Sequence, residues 1–283
     1  MCELQNTETR RSIAIVAAVP ESILFFMSAH LKALQDVYSM TVVCGGIEHI
    51  PIEKLVKNIN YINIPIERKI SPIKDITSLL KLISFFWSHQ FTLVQSITPK
   101  AGLLSMLAAW ICRVPIRVHV FTGQVWITAS GFKKWYLKTA DRWIAMLATS
   151  LLADSPSQKN FLIENKIVNG KDIQVLGDGS ISGVDSLRFK PNELANKKVR
   201  GQLAIPENAT IALFVGRLKQ DKGVLDLASA FAMLPQEFNN LFLVFVGPDE
   251  GKLSDQILKL TSHKNNQVRI VGSINNPEDF FAA

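Results

Sequence analysis

Residues 213–227 read LFVGRLKQDKGVLDL: an apolar segment, a turn at Gly216-Arg217, then Lys222-Gly223 in front of a second apolar segment. The pattern is that of a strand giving way to a helix. The first amides of a helix have no backbone partner and carry partial positive charge, so a helix entered through a glycine-rich turn is a ready cradle for phosphate. Gly216 and Gly223 withdraw side chains where a ligand would approach the backbone, and Arg217 and Lys222 add full charges. Arginine grips phosphate oxygens with a planar fork and lysine as a mobile point charge, a combination suited to a diphosphate. A solvated turn with a helix-entry glycine accounts for the same residues, so the stretch alone leaves both readings open.

Two other stretches carry candidate chemistry. Residues 117–126, RVHVFTGQVW, place Thr122 and Gly123 at the carboxyl end of an apolar strand, where ligands bind in open α/β sheets. His119 lies three residues earlier and points to the opposite face of a regular strand; its expected role is that of a packed, hydrogen-bonded core residue. Residues 131–147, GFKKWYLKTADRWIAML, interleave Lys133, Lys134, Lys138 and Arg142 with Trp135, Tyr136 and Trp143. A basic, aromatic helix face suits the headgroup region of an anionic bilayer, and it equally suits a packing helix with a solvated basic side.

The hydrophobic pattern supplies the frame for these groups. Residues 12–19, SIAIVAAV, form a nearly continuous apolar run ended by Pro20, the mark of a strand buried on both faces in a parallel sheet. Helical spacing over 23–37 follows, then strands and helices alternate: strands at 40–44, 61–64, 92–97, 116–122, 151–154 and 173–176, helices at 74–89, 100–112, 131–148 and after Ser155-Pro156. Ser155 reads as an N-cap and Pro156 as the first helical residue. Such alternation predicts a doubly wound α/β sheet. Residues 177–198, GDGSISGVDSLRFKPNELANKK, lack periodicity and mark a junction, dividing the chain into domains 1–190 and 191–283. The second domain restarts the alternation with strands at 211–215, 241–246 and 268–271 and helices at 224–234 and 252–263, and Pro277 opens another helix. With three strands it is expected to be an incomplete sheet with exposed edges.

Of the 283 residues, 48% are hydrophobic and 19% charged, which suits packed cores and excludes disorder as the main state. The net charge of +7 is concentrated early: residues 1–180 hold 19 Lys and Arg against 13 Asp and Glu, residues 181–283 hold 12 against 11. An anionic partner is implied. Nucleic acid is not expected, because no helix-turn-helix, finger or RNP-like pattern accompanies the charge. Cys2, Cys44 and Cys112 are far apart, with no metal-ligand spacing, so no metal site and reduced cytosolic thiols are expected. The polar start MCELQNTETRRS has no signal-peptide core. There is no G-x-G-x-x-G after the first strand for a nicotinamide cofactor and no G-x-S-x-G for a serine hydrolase.

The segments LFVGRLKQDKGVLDLASAF and LFLVFVGPDEG, with RVHVFTGQVW, LLADSPSQKNFL and VLGDGSISGVDSLRF, resemble retaining glycosyltransferases of family 4 from bacterial polysaccharide assembly. The resemblance covers nearly the whole chain and implies the GT-B fold, two facing Rossmann-like domains, the first binding acceptor and the second a nucleotide sugar. It implies that Arg217 and Lys222 bind the donor diphosphate. It also brings Asp185 into the cleft, since Gly183-Val184-Asp185 and Phe189 match the family's N-G-V-D-x-x-x-F pattern with Ser182 in place of Asn. The implied substrates are a UDP- or GDP-linked sugar and a lipid-linked or other saccharide acceptor, with no cofactor, at the inner face of the cytoplasmic membrane or in the cytoplasm. Two departures stand out: Thr122-Gly123 occupies the place of a common His-Gly, and the family's acidic E-x7-E motif does not occur in these 283 residues. The second leads to the expectation that this chain is weakly active or inactive, the alternative being a non-catalytic binding or scaffold fragment derived from such an enzyme. No catalytic residue is named by the sequence.

Overall fold

A computed structural model describes residues 10–67, 70–168 and 172–283; the first nine residues, with Cys2 and most of the polar start, lie outside the described residues. The chain divides into two compact units after Gly183, seven residues before the 190/191 junction placed by composition.

The first unit is built on a seven-stranded, all-parallel sheet. Its strands are β1 (Ser12–Val16), β2 (Ser39–Cys44), β3 (Asn60–Asn63), β4 (Leu93–Ser96), β5 (Ile116–Phe121), β6 (Ser150–Ala153) and β7 (Ile173–Val175), in the order β3-β2-β1-β4-β5-β6-β7. The direction of winding reverses between β1 and β4, which makes the carboxyl ends of these strands the switch point of a doubly wound fold. Alternation explains why β1 reads as one apolar run. Ile13, Ile15 and Ala17 enter one core with Ile23, Met27 and Leu31, whereas Ala14, Val16 and Ala18 enter the other with Leu82, Phe86 and Leu104. A strand apolar on both faces is stable only with helices on both sides.

Those helices are α1 (Pro20–Ser22), which continues through a π-helical turn (Ile23–Met27) into α2 (Ser28–Leu34) on one face, and α3 (Pro72–His89), α4 (Pro99–Ile111), α5 (Gly131–Leu147) and α6 (Pro156–Glu164) on the other. Four of them open with proline at the first turn, where a missing N–H costs nothing. Ser155 Oγ accepts from Gln158 N at 3.1 Å and caps α6. The loop after β7 is tied to β6: Ser180 N and Ile181 N donate to the Asp154 carbonyl (2.7 Å) and to Asp154 Oδ1 (2.6 Å). His30 on α2 bonds the Ile181 carbonyl at 2.6 Å.

The second unit has a three-stranded parallel sheet, β10-β9-β8, of β8 (Thr210–Val215), β9 (Leu241–Val246) and β10 (Val268–Gly272). Four helices accompany it: α7 (Glu193–Leu203), α8 (Val224–Ala232), α9 (Ser254–Leu260) and α10 (Pro277–Phe281). The central strand again splits its side chains. Leu243 and Phe245 pack with α8 and α9 through Val224, Ala228 and Ile257, while Phe242, Val244 and Val246 pack with Val199 of α7 and Phe280 of α10. Both faces are therefore covered, and the open edges are those of β8 and β10.

Helix α7 corrects the sequence reading, which left residues 177–198 without structure. Asn192 Oδ1 accepts from Leu194 N (3.1 Å) and Ala195 N (3.2 Å). Ala195 and Val199, four residues apart, are buried, so one cap and a narrow apolar stripe suffice where charge hides the period.

Candidate functional site

The Gly216–Gly223 segment leaves the carboxyl end of β8 and enters α8. A short 3-10 turn (Gln220–Lys222) ends at Gly223, whose φ of +72° lies in the left-handed region open to glycine. No side chain caps α8, so its first amides look out from beside Lys222. Leu218, midway along the loop, is fully buried and anchors it, while Arg217, Lys219 and Lys222 remain at the surface.

A second loop, after β9, is fastened against the first. Gly216 N donates to the Val246 carbonyl, Leu218 N to that of Pro248 and Gly251 N to that of Leu218, each at 2.9 Å. Gly247 N donates to the Gly272 carbonyl at 2.8 Å, linking the end of β10 as well. The approach is close enough to exclude a side chain: a Cβ on Gly247, whose φ is +138°, would lie 2.0 Å from the Gly216 carbonyl oxygen. Gly216 itself has no such need, since a Cβ there would meet only the Phe214 ring at 3.4 Å. The close-packing glycine is thus Gly247, a residue sequence reasoning did not single out.

Asp249 stiffens this second loop. Its carboxylate accepts from Ser254 Oγ (2.7 Å), Leu253 N (2.8 Å) and Ser254 N (3.0 Å). The Ser254 hydroxyl, followed by the Leu253 amide, holds that carboxyl below its ordinary range. The next residue, Glu250, points its Oε2 to Lys219 Nζ at 3.0 Å and Arg217 Nη1 at 3.4 Å. Lys222 has no ion pair among the described residues. The segment therefore gathers three cations and an uncapped helix start at one end of a parallel sheet, with the carboxylates of Asp221, Asp226 and Glu250 among them; cations beside a helix start suit an anion.

In the first unit, Thr122 and Gly123 follow β5 directly; Thr122 is half-buried, Gly123 is exposed, and nothing would lie within 4 Å of a Cβ on it. His119 is 1% exposed, with Nδ1 2.8 Å from Ser96 Oγ and its ring against Gly102. Burial pushes its pKa down to about 3, leaving it neutral. The loop after Gly123 is held by Trp126, whose Nε1 donates to the buried Asp141 of α5 at 2.7 Å and whose ring stacks on Phe161 of α6. Burial raises the Asp141 pKa to about 6 against the opposing effect of that bond.

On α5, Lys133, Lys134, Trp135 and Phe132 are exposed, together with Trp143 on the same helix. Lys138 and Arg142 are half-buried and held by neighbouring groups. Lys138 Nζ lies 5.0 Å from the Trp126 ring centroid and donates to Asn165 Oδ1 at 3.1 Å, and Arg142 Nε donates to the Lys166 carbonyl at 3.0 Å. Desolvation, followed by the charges of Arg142, Lys134 and Lys166, lowers the Lys138 pKa. Asp185, in the second unit, caps a local turn, its Oδ1 accepting from Leu187 N (3.0 Å) and Arg188 N (3.1 Å). The nearby Glu278, in the first turn of α10, pairs with Arg188 at 2.7 Å. Among the described residues no group of His, Cys, Asp and Glu could hold a metal, and no helix is long and apolar enough to cross a membrane.

Comparison with known proteins adds an independent line. The glycosyl transferase 4-like domain matches residues 29–179, and glycosyl transferases group 1 matches residues 195–283. The capsular polysaccharide biosynthesis glycosyltransferase CapM of Staphylococcus aureus is 32% identical over 221 residues, 77% of this chain and 57% of that protein. The UDP-Gal:alpha-D-GlcNAc-diphosphoundecaprenol alpha-1,3-galactosyltransferase of Escherichia coli is 28% identical over 196 residues, 67% of this chain and 48% of that protein. The chain thus spans about half the length of these curated relatives. Among solved structures, Anabaena Alr3699/HepE in complex with UDP and glucose superposes with a TM-score of 0.70 at 17% identity, covering 97% of this chain and 72% of that one. At that identity the likeness concerns the fold, which is GT-B.

Proposed function

The chain belongs to the glycosyl transferase 4-like family, and on that premise we propose that it moves a sugar, with retention, from a UDP- or GDP-linked donor to a lipid-linked or other saccharide acceptor in surface polysaccharide synthesis. The observation that carries the proposal is the Gly216–Gly223 loop, in which Arg217 and Lys222 precede a left-handed glycine, Gly223, at an uncapped helix start. Retaining transfer builds positive charge on the anomeric carbon while negative charge grows on the departing diphosphate. Cations and oriented amides already aimed at that site stabilise the leaving group without reorganising. The name of the Escherichia coli relative, which includes a UDP-linked donor and a diphospholipid acceptor, supports the same substrate classes here.

The acceptor side is assigned to the first unit, with Thr122 and Gly123 at the strand ends and the exposed Lys133, Lys134 and Trp135 of α5 meeting an anionic membrane surface. Calorimetric titration of UDP and GDP tests the donor assignment. Arg217→Ala and Lys222→Ala are each expected to weaken binding of the preferred nucleotide by about tenfold or more, the worth of a charge-assisted hydrogen bond. Unchanged affinity in both variants refutes it. Retention is checked by the anomeric configuration of the transferred sugar.

A further inference from the structure

Glu250 places a negative charge where the proposed ligand is itself negative. Its Oε2 is shared between Lys219 Nζ and Arg217 Nη1, at 3.0 and 3.4 Å, and the loop presenting it is held on both sides. Pro248 and Gly251 are bonded to Leu218 of the opposite loop, and Asp249 caps the turn into α9. The contact with arginine is through one terminal nitrogen at long range. A contact of that length holds a guanidinium less firmly than a short two-point grip between carboxylate and fork.

We propose that Glu250 is a built-in competitor for the donor diphosphate, occupying Arg217 and Lys219 in the empty site, yielding them to phosphate, and returning to favour release of the nucleoside diphosphate after transfer. The inference rests on the reading of Arg217 as a diphosphate ligand and adds Lys219 to that set. Carboxylate and phosphate oxygens are both pure acceptors, so they contend for the same N–H groups, and a phosphate between the two cations feels the carboxylate as a like charge. Both ion pairs are partly exposed, at 37–42% for the three side chains, so the competition is mild and the donor displaces Glu250.

The test is titration of UDP, and of inorganic pyrophosphate as a probe without a base, into the 283-residue chain and its Glu250→Gln, Arg217→Ala and doubly substituted forms. Removing the competing charge is expected to tighten both ligands by about 3–10-fold at low salt, with the gain shrinking as salt screens it and as Arg217 is removed. Binding by Glu250→Gln that is unchanged or weaker, while Arg217→Ala still loses affinity, overturns this inference alone and makes Glu250 an orienting group. Full affinity in Arg217→Ala overturns the diphosphate reading and the inference together.

Discussion

Substituting Gly247 by alanine separates the steric design of the Gly216–Gly223 loop from its charge. A Cβ at this position would lie 2.0 Å from the Gly216 carbonyl oxygen and 2.7 Å from its carbon, on a backbone with φ of +138°. Holding a non-glycine residue there costs about 1–3 kcal/mol, and relieving the overlap by moving the Gly216 backbone adds about 1–3 kcal/mol more. A loss of about 2–6 kcal/mol is a large part of the ~5–15 kcal/mol that stabilises an ordinary domain. Gly216→Ala is the control, since its Cβ meets the Phe214 ring at van der Waals distance and its φ is not in the left-handed region; its effect should stay within about 1 kcal/mol. The choice of assay follows from the sequence. All five tryptophans, Trp87, Trp110, Trp126, Trp135 and Trp143, lie in the first unit, so their fluorescence is blind to the second. Hydrogen exchange in peptides from β8 and β9 reads the second unit directly, with tryptophan fluorescence as the internal control. Protection in Gly247→Ala equal to that of the parent, or an equal loss in Gly216→Ala, would refute the reasoning.

Three more outcomes follow from single contacts. Asp141, raised from 3.8 to about 6 by burial, binds its proton more tightly folded than unfolded; stability therefore rises as pH falls from above 6 toward 4, by at most about 3 kcal/mol. Asp141→Asn keeps an acceptor for Trp126 Nε1 and should flatten that pH dependence in chemical denaturation, whereas Asp141→Ala should cost about 1–3 kcal/mol at low pH by leaving the indole N–H unpaired. Asn192→Ala removes the acceptor of two α7 amides and should cost about 0.5–2 kcal/mol in the second unit, measured by hydrogen exchange at Val199 and Phe242. Lys133→Glu with Lys134→Glu should abolish co-sedimentation with phosphatidylglycerol vesicles without altering nucleotide binding; undiminished sedimentation removes the membrane role from α5.

The frame of both units was legible because the central strands β1, β2 and β9 are apolar on both faces and most crossovers run through a helix. Ser12–Val16 and Leu241–Val246 announce themselves as buried parallel strands from composition alone. Strand ends were less legible: the run SIAIVAAV continues three residues past β1, because Ala17 and Ala18 still fill the two cores after strand geometry has ended. Helix α7 escaped because its sequence, ELANKKVRGQL, shows only two deeply buried side chains against a charged surface. The cap at Asn192 was the signal available, three residues ahead of Ala195.

The Gly216–Gly223 loop was legible for a different reason than its partners. Arg217, Lys222 and Gly223 sit in one seven-residue window, so their kinship is local and a linear reading can find it. Gly247 and Glu250 belong with them only because β8 and β9 are parallel neighbours in register, Gly216 following Val215 as Gly247 follows Val246. Parallel pairing sets the carboxyl ends of successive strands side by side, so each loop that follows a strand lies against the next one. A glycine able to take φ of +138° is then required where the two backbones meet, and a carboxylate three residues later is delivered to the first loop's cations. Chemistry split between consecutive strand ends is therefore the part of such a site that sequence spacing conceals and sheet register discloses.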